Sequence, residues 1–343
     1  MRVPTEVRVA LQQALSPPAA SGNAAADLLR LSAYVSEAWS PTRAVGSLLA
    51  IATAAGASDI HLESSVEGTT VRLRLDGELC ARGTLPPAGG ERLLAAARLL
   101  GGCLPYRRDI PQEGRIFREG VAADVRVAFL PTALGERGVF RLFGRLLGLA
   151  DLGFDANSEQ ALRVMLARPS GLMLVAGPSG AGKTTTLYAC LGHLAASRGG
   201  AHLSIEHPVE QRLRLAGIPV DQVELCPERG FTAEAALVAA LRQDVDVLAV
   251  GEVRTAGDAA LAVQAAHTGR LVLAGLHAGG AAEALQRLLD LGVAASVLRD
   301  TPVAVLHQRL ISGPCGDCSG SGCAACGGSG RRRRPVVTTW VGS

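Results

Sequence analysis

One glycine-rich segment, 177–184, has the residue types and spacing of a phosphate-binding loop. It reads Gly-Pro-Ser-Gly-Ala-Gly-Lys-Thr and matches the pattern G-x-x-x-x-G-K-[ST]. An apolar run that predicts a strand, Gly171–Ala176, precedes it, and a helical pattern, 185–196, follows it. Glycines let backbone N–H groups approach phosphate oxygens, and the helix N-terminus adds its positive dipole. An ordinary glycine-rich turn is the alternative, and the strand and helix around the loop argue against it.

The roles within this loop follow from the chemistry of its side chains. Lys183 is expected to reach the β and γ phosphates, and the Thr184 hydroxyl is expected to ligate Mg²⁺. The sequence therefore predicts ATP and Mg²⁺ as cofactors. The residues expected to bind the nucleotide are Gly177, Pro178, Ser179, Gly180, Ala181, Gly182, Lys183, Thr184 and Thr185.

Hydrolysis also requires a carboxylate that orients water and a group that tracks the γ phosphate. Glu252 and Glu206 each follow a short apolar run, so both are expected at carboxyl ends of strands, where open α/β sheets bind ligands. Gly251 stands where a Walker B strand has its Mg²⁺ aspartate, so Glu252 is expected to act on water-bound Mg²⁺ or on the attacking water. Glu210 and His277 complete the catalytic candidates. The alternatives are solvated loop acids and a histidine that caps a strand.

Four of the eight cysteines form a cluster that calls for its own explanation. Cys315 with Cys318 and Cys323 with Cys326 make two C-x-x-C pairs joined by a short Ser/Gly loop. Thiolates at this spacing can surround one tetrahedral, structural Zn²⁺, whereas a redox pair or fortuitous thiols are the alternatives. The scattered cysteines are expected to be small apolar core residues; they are Cys80, Cys103, Cys190 and Cys226.

The composition limits the classes of partner. The formal net charge is only +3 and aromatic residues make up 3% of the chain, so we expect no stable nucleic-acid binding. No apolar run reaches the roughly 18 residues of a membrane span, and the first ten residues do not resemble a secretory signal. A cytoplasmic location is therefore expected.

Three patterns divide the chain. Residues 1–44 predict a short helical N-terminal segment. Residues 45–145 alternate apolar and polar positions between turn signals and predict a small α+β domain with an antiparallel sheet. Residues 149–343 repeat strand, loop and helix, which predicts an α/β domain with a mainly parallel sheet. The tetracysteine element, 313–330, is expected within this last domain.

These segments together resemble the secretion ATPase superfamily, specifically the assembly ATPases of type II secretion systems and type IV pili. Residues 58–63 and 71–77 are similar to the small, sensor-like N-terminal domain of that family, which implies a PAS-like fold. Residues 111–115, 124–126 and 131–137 resemble its arginine-bearing strands. The resemblance implies that arginines of this domain approach the nucleotide, with surface ion pairing as the alternative. These arginines are Arg115, Arg126, Arg137 and Arg141.

The second half of the chain resembles the RecA-like P-loop domain of the same family. Residues 204–210 resemble its aspartate box, 241–254 its Walker B region and 268–277 its histidine box. Three positions depart from the family pattern. His207 stands where an aspartate is usual, Thr255 replaces an acid and Arg270 replaces a histidine.

The resemblance implies a hexameric, ATP-hydrolysing motor that powers assembly of a type II secretion pseudopilus or a type IV pilus. It implies a partner, an inner-membrane platform protein, through which the motor is peripheral to the inner membrane. The tetracysteine element favours the assembly branch over the retraction branch. Two alternatives stay open: a low-turnover nucleotide-binding scaffold of the same machine, which the three departures suggest, and a nucleic-acid-acting conjugation or uptake motor.

Overall fold

The computed structural model describes residues 40–75, 77–116, 125–144, 146–213, 220–314, 318–321 and 331–341. The chain divides into two compact units, Met1–Arg145 with Ser312–Arg332, and Leu146–Ile311 with Arg333–Ser343. We call them the N-terminal unit and the C-terminal unit. The domain bounds expected from the sequence stay predictions, and the helical segment expected over 1–44 lies almost wholly outside the described residues.

The described part of the N-terminal unit combines two helices with a sheet of order β3-β2-β1-β6-β5-β4. All five pairs of neighbouring strands in this sheet are antiparallel. The helices are α1, Pro41–Ala54, and α2, Pro87–Leu100; each has a proline in its first turn, where the missing N–H costs nothing. The strands are β1, Asp59–Ser65; β2, Gly68–Leu75; β3, Glu78–Leu85; β4, Gln112–Ile116; β5, Val125–Thr132; and β6, Gly135–Leu142.

The two faces of this sheet differ in chemistry. Ile60, Leu62 and Phe140 are buried in one apolar core with residues of α1 and α2. The intervening residues form a charged face, where Asp59 lies opposite Arg141 across the strand pair. This alternation is the pattern expected of an antiparallel sheet covered on one side. A PAS-like fold for this unit stays a prediction.

The C-terminal unit contains a second sheet, of order β13-β12-β7-β11-β10-β8-β9. Its strands are β7, Gly171–Ala176; β8, His202–Glu206; β9, Val220–Glu224; β10, Val247–Val250; β11, Leu271–Leu276; β12, Val303–Pro314; and β13, Arg331–Val341. Its helices are α3, Ala156–Leu166; α4, Lys183–Ser197; α5, Ala233–Ala240; α6, Ala256–His267; α7, Ala281–Asp290; and α8, Ala295–Asp300. The pairs β12–β7, β7–β11, β11–β10, β10–β8 and β8–β9 are parallel.

Helices cover both faces of this sheet, so its central strands are apolar at every position. In β7, Leu172 and Leu174 contribute to one core with α5, α6 and α7. Met173 and Val175 contribute to a second core with α3 and α4. A central strand such as β7 is therefore a short, continuous apolar run in the sequence. Such a run is recognised as a strand because it is too short for a helix, and not because apolar and polar residues alternate.

Several elements differ from the sequence expectation. The sequence predicts helices over 45–55 and near 91–100, whereas α1 begins at Pro41 and α2 begins at Pro87. Strands β3, β9, β12 and β13 were not predicted. Strand β13 includes the arginine run 331–334, so the backbone there is extended.

Candidate functional site

The predicted phosphate-binding loop connects the carboxyl end of β7 to the first turn of α4. Gly177 has φ +154°, and a Cβ at this position would lie 2.2 Å from the carbonyl oxygen of Gln308 on β12. Gly182, with φ +87°, precedes α4 in a left-handed conformation that favours glycine. Both glycines are therefore required by the backbone itself: the first by close approach of a neighbouring strand, the second by its dihedral angles.

The other loop residues take different positions. Pro178, Ser179 and Gly180 form the exposed tip, whereas Ala181 is buried. Thr184 and Thr185 lie in the first turn of α4. Backbone N–H groups at the start of a helix lack intrahelical acceptors, so this turn offers donors to an anion. The loop shape and the hydroxyl at Thr184 fit a triphosphate with Mg²⁺.

The Lys183 ammonium folds back over the loop. Its Nζ donates to the carbonyl oxygens of Gly177, at 2.8 Å, and Pro178, at 3.0 Å. Burial lowers the pKa of Lys183, and the carboxylates of Glu252 and Glu210 oppose this by raising the pKa. Two of the predicted catalytic acids are thus close enough to interact electrostatically with the predicted phosphate-binding lysine.

Glu252 lies in the connection after β10, and the backbone on both sides of it is anchored. The N–H of Gly251 donates to the carbonyl of Ile205 on β8, and that of Val253 donates to Gly275 on β11, both at 2.9 Å. A Cβ at Gly275 would lie 2.1 Å from the Gly251 oxygen, so only glycine permits this approach. The geometry fixes Glu252 at the carboxyl edge of the sheet.

The two carboxylate oxygens of Glu252 each contact a different basic side chain. Its Oε1 lies 2.6 Å from Nε2 of His277, which follows β11. Its other carboxylate oxygen, Oε2, accepts from Nε of Arg254. The Glu252 side chain is 18% exposed and both partners are more exposed, so water can reach this cluster.

Glu206, at the carboxyl end of β8, is in a different environment. It is buried, and its carboxylate accepts from three side chains: the Tyr188 hydroxyl, Ser204 Oγ at 2.6 Å and Gln222 Nε2 at 3.0 Å. Burial, reinforced by the Glu206 carboxylate, raises the pKa of Tyr188 well above its usual range. The Glu206 carboxylate therefore already has protein donors in place of water. This arrangement favours a role in positioning neighbouring groups over direct contact with the attacking water.

Three of the four predicted arginines of the N-terminal unit pair with acids on their own sheet. Arg126 lies 2.5 Å from Glu113, Arg137 3.1 Å from Glu63 and Arg141 3.0 Å from Asp59. The fourth arginine, Arg115, lies on β4 and is the cross-strand partner of Arg126 on β5. The described contacts match the ion-pairing alternative, and a role of these arginines towards a nucleotide stays a prediction.

Two of the three departures from the family pattern have structural explanations. Thr255 is the N-cap of α6: its hydroxyl accepts from the Asp258 N–H, and the Asp258 carboxylate accepts from the Thr255 N–H. Arg270 precedes β11, at the sheet edge opposite the phosphate-binding loop, and donates to the Leu241 carbonyl at 3.2 Å. His207 is exposed beside Glu206 and has no comparable explanation.

The zinc prediction falls mostly outside the described part of the chain. Cys315, Cys323 and Cys326 are not among the described residues, and Cys318 is. Within the described ranges, no group of three or more His, Cys, Asp or Glu residues could hold a metal ion. Of the scattered cysteines, Cys103 and Cys190 are buried as expected; Cys80 and Cys226 are only partly buried, so that expectation is wrong for them.

Comparison with known proteins decides the family. The model of the family described as "Type II/IV secretion system protein" matches residues 39–341. The chain belongs to this family. It is 34% identical, over 82% of its length, to the type IV pilus assembly ATPase PilB of Thermus thermophilus, and 38% identical, over 80%, to the type II secretion system ATPase E of Vibrio cholerae.

A solved structure agrees with the fold of the family. The pilus retraction motor PilT with bound ADP matches 86% of this chain, and the chain covers 82% of that structure, at 25% identity and a TM-score of 0.66. The chain spans 35% of the length of the Thermus relative and 54% of the Vibrio relative. In the part of the chain that the structure describes, no helix is long and apolar enough to cross a membrane.

Sequence reasoning missed three residues that the structure brings to this site. Arg254 contacts Glu252, Tyr188 contacts Glu206, and Gln308 contacts the phosphate-binding loop. Arg254 lies two residues from Glu252, so the sequence could have predicted that the two side chains are near each other. Gln308 follows an apolar run, 303–306, and a buried polar residue at the end of such a run is the only indication the sequence gives.

Proposed function

We propose that this secretion-family protein hydrolyses ATP at the loop 177–184. The observation that carries the proposal is the convergence of Lys183, Glu252 and His277 at one edge of the second sheet. The loop N–H groups and Lys183 bind the phosphates, and the Thr184 hydroxyl holds Mg²⁺. A bound Mg²⁺ supplies charge neutralisation at the β and γ phosphates.

Among the predicted catalytic residues, we assign the water-directed role to Glu252. Its carboxylate is reachable by water and interacts electrostatically with Lys183, whereas the Glu206 carboxylate is buried and accepts three side-chain hydrogen bonds. We assign to His277, which contacts the Glu252 carboxylate, the role of tracking the γ phosphate. Glu210 is exposed and contributes negative charge near Lys183.

We further propose a mechanical role for this hydrolysis. The names of the relatives, a pilus assembly ATPase and a secretion ATPase, support a motor that powers assembly of a type IV pilus or a type II secretion pseudopilus. In this proposal six copies form a ring in the cytoplasm, and the ring acts on an inner-membrane platform protein. A structural Zn²⁺ at Cys315, Cys318, Cys323 and Cys326, and nucleotide contacts from Arg115, Arg126, Arg137 and Arg141, belong to the same proposal.

The low-turnover scaffold loses part of its support in the structure. Thr255 caps α6 and Arg270 donates to the Leu241 carbonyl, so both residues have a structural role of their own. Only His207 continues to favour the scaffold. Nothing in the part of the chain that the structure describes favours the nucleic-acid motor.

A phosphate-release assay with purified chain tests hydrolysis. We expect measurable turnover that is lost in Lys183→Ala, because the variant lacks the ammonium that binds the β and γ phosphates. The matched control is Glu234→Gln, an exposed acid on α5 outside the cluster, which should turn over like the unchanged chain. Equal rates in the unchanged chain and Lys183→Ala would contradict the proposal, and addition of single-stranded DNA would raise the rate only for a nucleic-acid motor.

A further inference from the structure

One side chain that lies far from the phosphate-binding loop in sequence, Gln308, forms a hydrogen bond to Ala181 on the buried side of the loop. We call this bond the brace. Gln308 is on β12, immediately after His307, which pairs with the last residue of β7, Ala176. Its side chain is buried against the loop and the first turns of α4. Its Nε2 donates to the Ala181 carbonyl at 2.6 Å, and its Oε1 accepts from the Thr186 hydroxyl at 2.8 Å.

The orientation of the Gln308 amide follows from its partners. A backbone carbonyl can only accept, so the group that contacts Ala181 must be the NH₂ end. The Oε1 end therefore faces Thr186, whose hydroxyl must donate. Gln308, Ala181 and Thr186 are each about fully buried, with exposures of 2%, 2% and 1%, so no water replaces these bonds.

This contact determines the direction of an N–H group in the loop. The peptide between Ala181 and Gly182 is planar and trans, so its carbonyl and its N–H point in opposite directions. Because the carbonyl is turned towards the buried Gln308 amide, the Gly182 N–H is turned away from it, to the outer side of the loop. The same strand also constrains Gly177, whose absent Cβ makes room for the Gln308 carbonyl.

We propose that Gln308 is a positioning residue for the nucleotide: it holds the Ala181–Gly182 peptide with its N–H aimed at the phosphates. The inference rests on the proposed ATP-binding function and adds to it a residue outside the phosphate-binding motif. Preorganised N–H donors bind an anion without the cost of ordering the loop, so loss of the brace weakens nucleotide binding. The brace does not contact the nucleotide itself.

The test compares loss of the hydrogen bond between Gln308 and Ala181 with loss of the neighbouring bond between Gln308 and Thr186. Gln308→Met keeps the length of the side chain but removes the donor to Ala181. Thr186→Val keeps the shape of Thr186, removes one buried hydrogen bond from the same cluster and leaves the bond to Ala181 in place. Gln308→Asn retains an amide that is one methylene too short to bridge both partners, and it serves as the second variant should the Met variant not fold.

Calorimetric titration with Mg-ADP and thermal melting without nucleotide are measured for each chain. We expect both Gln308 variants to bind Mg-ADP about tenfold more weakly, and Thr186→Val to bind within about twofold of the unchanged chain, although all three melt earlier. Unchanged affinity in a folded Gln308 variant would overturn the inference, and so would an equal loss in Thr186→Val. Absence of binding by the unchanged chain would instead refute the proposed function.

Discussion

Strands β8 and β10 are neighbours in the second sheet, and each is followed or ended by a glutamate, yet the two carboxylates have opposite surroundings. Glu206 is buried and accepts three side-chain hydrogen bonds. Glu252 is partly exposed and contacts two side chains that are themselves exposed. The comparison teaches that a position at a strand end identifies a carboxylate as a candidate catalytic group. The burial of the carboxylate and its hydrogen-bond partners then decide which candidate can act on water.

The largest expected effect is on turnover in Glu252→Gln. The amide keeps the size of the side chain but cannot act as a base, so phosphate release should fall by about 100-fold or more. The melting temperature should change little because the residue is not fully buried. Rates and melting curves measured on the same preparation check both statements. A Glu252→Gln chain with near-normal turnover would remove the distinction between the two glutamates.

The second expected effect is on stability in Glu206→Gln. The new NH₂ group would face donors in a buried site, so the free energy of unfolding should fall by about 1–3 kcal/mol. Urea unfolding measures this change. Tyr188→Phe, which deletes one donor and adds no repulsion, provides the matched comparison and should lose less. If Glu206→Gln unfolds like the unchanged chain while its turnover disappears, Glu206 is the catalytic acid and our assignment is reversed.

The smallest expected effect is on the stability of a variant at Thr255, one of the three departures from the family pattern. Thr255→Ala removes the hydroxyl that caps α6 and should lower the free energy of unfolding by about 1 kcal/mol. Phosphate release at a temperature well below the melting point should stay unchanged, because Thr255 contacts Asp258 and not Glu252. A large loss of turnover in this variant would show that the position is part of the chemistry.

The parts of the fold that the sequence predicts are those with local signals. Strands β7, β10 and β11 are continuous apolar runs between glycine-rich or polar segments, and the loop 177–184 has a motif with defined flanks. The family follows from the same local motifs, and the comparisons confirm it. Strand β12 was missed because His307, Gln308 and Arg309 interrupt its apolar run, and β13 because a run of four arginines does not indicate a strand.

The environment of a site residue depends on partners that are distant in sequence. Tyr188 is 18 residues from Glu206 and Gln222 is 16 residues away, so no local pattern shows that their side chains donate to the Glu206 carboxylate. The separation between Gln308 and Ala181 is 127 residues. Sequence reasoning therefore named both acids correctly as strand-end residues and gave the water-directed role to Glu252, but it could not predict the hydrogen-bond partners of Glu206.

The measurement that tests the account most directly is a calorimetric titration of Mg-ATP into Glu252→Gln, a variant expected to bind the nucleotide without turning it over. We predict saturable heat with one site per chain, and its loss when Lys183→Ala is added to the same variant. If the Glu252→Gln chain gives no saturable heat while folded, the loop 177–184 does not bind ATP and the proposed function is wrong.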